Sequence, residues 1–196
     1  MSASMKRYPP LVMLCVSILL VLSDAPKARA KNIDERVYDL VHDTYRSSAL
    51  DRIMKSCTRI GDRHVILGAD LILATYGREY ERDTAKLICT SLIGSQLVAS
   101  GLKLIVNRRR PEGDHSRSNS SFPSGHATGA FAVATILAHR YEGHKILFYI
   151  VASSIAISRV YLGRHFPSDV VVGAFLGYMG SKGTLRVQKK ILTLEL

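Results

Sequence analysis

The sequence predicts an all-α fold, a helical bundle of about six helices after a cleaved N-terminal signal segment. Three observations predict it. Apolar residues recur at helical spacing in one segment after another. No segment alternates apolar and polar residues between hairpin turns, so strands are not indicated. Only one long stretch, 108 to about 122, reads as a loop, with Pro111, Gly113 and many serines. With 47% apolar residues in 196, the chain can build one domain with a sizeable core and is too apolar to be disordered. It has no fixed-period repeat, which excludes a solenoid.

Residues 1–30 read as an export signal and residues 31–196 as a single domain. Lys6 and Arg7 form the charged start, "LVMLCVSILLVL" (11–22) the apolar run, and "ARA" (28–30) a cleavage site before Lys31. The run is shorter than the roughly 20 apolar residues a spanning helix needs. An uncleaved N-terminal helix is the plainer alternative. Cys15 follows Leu14 rather than a small residue, which argues against a lipoprotein.

Removal of the signal lowers the formal net charge from +11 to +8, so the mature chain stays strongly basic. That suits an anionic substrate or an anionic membrane surface. Export makes nucleic acid the poorest partner. Cys57 and Cys89 survive cleavage; they could pair in an oxidising compartment, but two ordinary buried thiols is the preferred reading. No Cys/His spacing suggests zinc, so no metal site is indicated.

The helices follow in order. Segment 32–46 carries Ile33, Val37, Leu40 and Val41 on one stripe. Segment 48–62 carries Leu50, Ile53, Met54 and Cys57 and stops at Gly61. Segment 63–77 is more apolar, and 81–107 is the longest. Helices over 124–140, 145–162 and 167–181 come after the loop, and the basic tail is less clear. The longest uncharged runs, Leu87–Leu102, Ile146–Ser158 and Val170–Ser181, have 16, 13 and 12 residues. All are short for a span, yet they lack the polar face of a soluble helix. A compact exported bundle and a short-helix membrane protein both fit, with a slight lean to the soluble form.

Three clusters at helix edges carry chemistry. In "KLIVNRRRP", Lys103 and Arg110 flank a helix end that Pro111 terminates. Two cations aimed at one place neutralise a phosphate, and arginine adds a bidentate fork; taken alone, the run reads more readily as a solvated helix end. In "SNSSFPSGHATGAF", Pro123 can take the first helical position, and the free amides there form an anion site. Gly125 allows close approach, Ser124 can donate, and His126 titrates near neutral pH. The alternative is a serine-capped helix with a chance histidine. In "SRVYLGRHFPSD", Arg159 ends a helix, and His165 and Asp169 fall on one side of the turn that Pro167 begins. A carboxylate there can hold one ring nitrogen and free the other to attack; a structural His–Asp pair is the alternative.

Lys103-x6-Arg110-Pro111, then Pro123-Ser124-Gly125-His126, then Ser158-Arg159-x5-His165-x3-Asp169 resembles the signature of the type 2 phosphatidic acid phosphatase superfamily. That superfamily also holds bacterial acid phosphatases and vanadium haloperoxidases. The resemblance covers about residues 46–182 and departs at no motif position. It implies an α-helical bundle and metal-independent hydrolysis of a phosphomonoester or pyrophosphate, with no cofactor. His165 then resembles the nucleophile that forms a phosphohistidine, Asp169 its orienting partner, and His126 the general acid and later base. Lys103, Arg110 and Arg159 resemble the cationic clamp, with Ser124 and the Gly125 backbone as further phosphate-binding donors. Vanadate is expected as a phosphate analogue or inhibitor.

Arg108, Arg109 and Arg164 adjoin these positions and either widen the positive funnel or face solvent, the latter being the simpler expectation. Of the histidines outside the motifs (His42, His64, His115, His139, His144), only His115 lies in the loop and could reach substrate. The leading expectation is an exported phosphatase, periplasmic or otherwise extracytoplasmic. Its substrate is a lipid phosphate, a polyprenyl pyrophosphate or a small phosphomonoester. The alternatives are a vanadate-dependent haloperoxidase and a non-enzymatic membrane protein that binds anionic lipid. Oligomeric state is not legible.

Overall fold

Why the chain breaks where it does is visible in the helix ends. The structure, a computed structural model, describes residues 32–113 and 119–193; the expected signal segment, its cleavage site and His115 lie outside these. Helix α1 (Ile33–Asp39) runs into a π-helical turn, Leu40–Thr44. Ser47 then caps α2 (Ser48–Ile60), its side chain accepting from Leu50 N at 3.2 Å. Asp62 caps α3 (Arg63–Tyr76), accepting from His64 N at 2.9 Å. These are the oxygen-bearing caps that satisfy free amides at a helix start. Helix α4 (Glu79–Val106) ends where Asn107 turns left-handed, at φ 46°. After the loop come α5 (Gly125–Arg140), a short 3-10 turn (Glu142–His144), α6 (Lys145–Tyr161), α7 (Pro167–Arg186) and α8 (Gln188–Leu192).

The described residues contain eight helices and no strand, so the all-α expectation holds. Segment 32–46 forms the short α1 and a π-helical turn rather than one long helix, and the basic tail adds the short α8. Helix α7 runs past the expected stop at 181, since Gly180 and Gly183 stay helical. Pro167 is the first residue of α7, as its missing amide favours. Pro123 is not at the first position of α5: Ser124 is the cap and Gly125 the first helical residue. Cys57 and Cys89 are both free thiols.

From Ile33 onward the chain forms one compact unit. Its centre is α5, packed by α4, α6 and α7. Leu87, Ile88 and Leu92 of α4 meet Ala132 and Ile136 of α5 in the largest buried cluster. Ala130 and Ala134 meet Ala152 and Ile155 of α6. Helix α5 is built of small residues because its neighbours come close. At Gly177 of α7, a methyl group would collide with the Thr128 carbonyl and stand 2.8 Å from Ala132 N. Only hydrogen fits between two backbones at that distance.

Many large apolar side chains lie on the outside of the bundle. Leu71 and Ile72 of α3, Leu97 and Ile105 of α4, and Ile146 of α6 are each more than 60% exposed. Among the described residues, α4 is the one helix long and apolar enough to cross a membrane by length and composition. Only 28% of its most apolar stretch is buried inside the bundle. Patches of this extent mark surfaces that meet something other than water.

Gly177→Ala forces two backbones apart, and overpacking of this kind costs about 1–3 kcal/mol or more. Gly183→Ala, on the same helix with open space around it, stabilises by up to about 1 kcal/mol through helix propensity. Thermal melts of the two variants should therefore move in opposite directions.

Candidate active site

Four helix ends meet at one end of the bundle. The C-terminal turn of α4 carries Lys103, the N-terminal turn of α5 carries Gly125 and His126, the last turn of α6 carries Arg159, and the first turn of α7 carries Asp169. They surround a cavity of about 570 Å³. Lys103, Arg110, Gly125, His126, Arg159 and His165 all line it. Residues spread over 63 positions of sequence thus face one space. Apolar residues line it as well, Ile66 and Leu67 from α3 and Leu92 and Ile93 from α4.

The loops between these ends are laced together by backbone and hydroxyl groups. Ser121 N donates to Arg108 O at 2.7 Å, and Arg108 N donates to Ser120 Oγ at 3.0 Å. Lys103 Nζ donates to Ser120 O at 2.7 Å, and Arg110 Nε donates to Asn119 O at 3.1 Å. Gly163, with φ 69°, turns the chain out of α6, and its carbonyl accepts from Glu112 N at 2.9 Å. Gln96 Nε2 donates to the Gly125 carbonyl at 2.8 Å, fixing the first peptide of α5 from the α4 side. Arg159 is held at one end by Thr58 Oγ1, 2.5 Å from Nη1, while its buried Nε has no partner among the described residues. An unsatisfied buried donor on a cavity wall is costly unless something enters to accept from it.

His165 is 2% exposed. Its Nδ1 lies 2.7 Å from the Ser121 carbonyl, which can only accept. Nδ1 therefore carries the proton and Nε2 keeps its lone pair. Asp169 Oδ2 stands 3.8 Å from Nδ1, too far for a hydrogen bond. The expected orienting carboxylate thus acts one step removed. It accepts from Ser121 Oγ and, at 2.8 Å, from Phe166 N, and so holds both segments that frame the ring.

The electrostatics favour neutral imidazoles beside fixed cations. Burial, with Arg159 and Arg110 adding to it against the pull of Asp169, lowers His165 to about 4. Burial followed by Arg159 and His165 lowers His126 to about 4. Burial and then Arg164 lower Arg110, which stays charged at neutral pH. Burial by itself would raise the Asp169 carboxyl, but His165, Arg108, Ser121 and the Phe166 amide hold it below the usual range.

Three placements differ from expectation. Ser124 is fully buried as the α5 cap, its Oγ 3.5 Å from Ala127 N, and the cavity is lined by Gly125 beside it. Arg108 neither widens the funnel nor faces solvent; it turns inward on to Asp169. Ser121 contributes through its carbonyl and hydroxyl although it belongs to no motif. A serine beside a motif, fully buried in a loop, gives no side-chain signal in sequence.

The PAP2 superfamily model matches residues 84–192. The chain belongs to the PAP2 superfamily. It is 32% identical to phosphatidylglycerophosphatase B of Bacillus subtilis over 68% of this chain and 73% of that one. It is 25% identical to a lipid A 1-phosphatase of Rhizobium etli over 83% and 75%. The fold matches the crystal structure of a transmembrane PAP2-type phosphatidylglycerolphosphate phosphatase from Bacillus subtilis, with a TM-score of 0.72 at 24% identity, over 96% of this chain and 100% of that one. In keeping with its family, the chain is a phosphoric monoester hydrolase.

Removing one clamp cation tests the cavity as an anion site. Lys103→Met or Arg159→Met should weaken orthovanadate binding by about ten- to a hundredfold, since a charged hydrogen bond contributes about 1.5–3 kcal/mol. Titration calorimetry reads this directly.

Proposed function

We propose that this chain hydrolyses a phosphate carried on a lipid, either a phosphomonoester or a polyprenyl pyrophosphate, by a metal-independent route through a phosphohistidine. The observation that carries the reading is the mixed lining of the cavity. Three cations and two imidazoles line it, and so do four apolar side chains of α3 and α4, with Leu92 and Ile93 about three turns before Lys103 on α4. A phosphorylated headgroup fits the first set, and the start of an acyl or prenyl chain fits the second. Relatives named for phosphatidylglycerophosphate and lipid A point to the same substrate class.

In the mechanism, Nε2 of His165 attacks phosphorus and displaces the alcohol or phosphate oxygen. His126, neutral at rest, takes the proton that a monoanionic phosphate brings and passes it to that leaving oxygen. The phosphoryl group is then on His165, and His126, neutral again, takes a proton from water as the water attacks phosphorus and the P–N bond breaks. Inorganic phosphate leaves with that proton, and both imidazoles return to their neutral starting state. Lys103, Arg110, Arg159 and the Gly125 amide at the α5 start spread the negative charge of the phosphoryl oxygens. They supply the charge neutralisation that magnesium supplies in kinases.

The exposed apolar faces of α3, α4 and α6 favour a membrane-embedded protein over the soluble bundle towards which sequence leaned, with α4 crossing the bilayer. The site then opens at one end of α4, on the extracytoplasmic side that the signal segment implies. A substrate tail reaches it along the apolar side chains of α3 and α4.

Phosphate release should be measured from phosphatidate, phosphatidylglycerophosphate, undecaprenyl pyrophosphate and a small aryl phosphate. The lipids should exceed the aryl phosphate by at least about tenfold in kcat/KM, and activity should stay with washed membranes. His165→Ala should abolish turnover, while EDTA should not. A preference for the aryl phosphate, or EDTA inhibition reversed by a divalent metal, would sink the corresponding part of the reading.

The pH profile follows from the two depressed imidazoles. His126 at about 4 is neutral in the free enzyme near neutrality, so the catalytic proton arrives with a monoanionic phosphate. The second ionisation of a phosphomonoester lies near about 6, so kcat/KM should fall as pH rises past it. At the acid side, protonation of His165 at about 4 removes the nucleophile and activity falls again. A profile flat from pH 6 to 9 contradicts this proton inventory.

A further inference from the structure

Arg108 lies behind the cavity, between two carboxylates. Its Nη1 donates to Asp169 Oδ1 and to Ser168 Oγ, each at 2.7 Å, and its Nη2 donates to Asp34 Oδ2 at 2.7 Å. Asp34 comes from α1. It also grips the start of α7, accepting from Ser168 N at 2.8 Å and from Ser168 Oγ at 2.6 Å. The guanidinium stacks over the Phe166 ring, 4.3 Å from its centroid, and Phe166 in turn packs on Tyr38 of α1. Three elements distant in sequence are joined directly behind His165.

The physical consequence starts from Asp169, whose side chain has no solvent exposure. A buried carboxylate stays ionised only when it is paired and hydrogen-bonded. Among the described residues, Arg108 is the guanidinium in ion-pair contact with it. A protonated Asp169 would lose acceptor capacity for Ser121 Oγ and Phe166 N. The Ser121 carbonyl that fixes the His165 tautomer would then lose its anchor. Asp34 shares the same guanidinium, so it sets where Arg108 sits. Helix α1 lies outside residues 84–192, the part of the chain that the family model matches.

We infer that Asp34 and Arg108 are positioning residues for the nucleophile: Asp34 holds Arg108, Arg108 keeps Asp169 ionised and in place, and Asp169 keeps His165 aimed into the cavity. The charged groups acting on Asp169 are His165 from the turn before α7, Arg108 and Arg110 from the loop after α4, and Lys103 from the end of α4. Asp34 reaches it from α1 across Arg108. The inference rests on the phosphatase reading above.

The test uses the full chain in detergent micelles, with dioctanoyl phosphatidate as substrate and kcat, KM and the pH profile of kcat as readouts. Arg108→Gln should lower kcat by about 30- to 300-fold, leave KM within about threefold, and move the acid limb upward by about one pH unit or more. Arg108→Lys should recover part of the loss. Asp34→Asn should lower kcat by about three- to tenfold, with a shift of the acid limb in the same direction. The double variant should be no slower than Arg108→Gln, because both act along one chain of contacts. Arg109→Gln, on the exposed neighbour, should stay within about twofold of wild type. A wild-type kcat and pH profile in Asp34→Asn overturns the inference, as does a loss of kcat with an unmoved acid limb. If Arg108→Gln does not fold, as judged by its thermal melt, Asp34→Asn and Arg108→Lys decide by the same criteria. No turnover by wild type would instead overturn the lipid-phosphate reading on which the inference rests.

Discussion

The charge on Asp169 is the constraint from which the rest of the site follows. It is a carboxylate without solvent exposure, in the first turn of α7, where four helix ends meet. Its two oxygens collect Arg108, the Ser121 hydroxyl and the Phe166 amide. Each partner belongs to a different piece of the site: the segment leaving α4, the segment entering α5, and the turn entering α7. The backbone carbonyl of Asp169 also accepts from Ser124 N at 2.9 Å, which ties the α5 cap to the same residue. A buried anion cannot tolerate the loss of its partners, so these segments are held in one arrangement, and His165 inherits its orientation from them.

This arrangement needs α5 and α7 to run very close together. Gly173 opposes the Ser124 carbonyl and Gly177 the Thr128 carbonyl, and neither place has room for a side chain. The small residues of α5 and the glycines of α7 therefore serve the site as well as the core. They bring two helix starts side by side, so that the free amides of α5 and the carboxylate of α7 face the same few loop residues. Bulkier packing would separate the two starts and leave His126 and His165 on different surfaces.

Polarity is inverted relative to a soluble bundle: charge and hydroxyl groups gather inside one end, while large apolar side chains cover the flanks. The inversion suits a reaction at the edge of an apolar phase. On the proposed lipid-phosphate reading, the phosphoryl group needs cations in a place that excludes water, and the tail needs an apolar path to it. Helices α3 and α4 join these two demands, since Leu67 and Ile93 line the cavity and Leu71 and Leu97, one turn further on the same helix faces, are exposed.

Sequence by itself determined the helical class, most helix boundaries and the chemical kinds gathered at the site. Breakers act within a few residues, so the stop at Gly61 and the start at Pro167 could be read locally. Spacing and residue type were enough to select Lys103, Arg110, Gly125, His126, Arg159 and His165, all of which line the same cavity. Within "RRR", sequence picked out Arg110 but missed the role of Arg108. Which of Arg108, Arg109 and Arg110 turns inward depends on how the chain leaves α4 through the left-handed Asn107, and on an acceptor in α1 that is 74 residues away. Nor did it find Ser121, whose contribution to His165 is a backbone carbonyl that any residue would carry. Tertiary structure alone decided these points, because a buried charge chooses its partners by position in space, and neighbours in space are not neighbours along the chain.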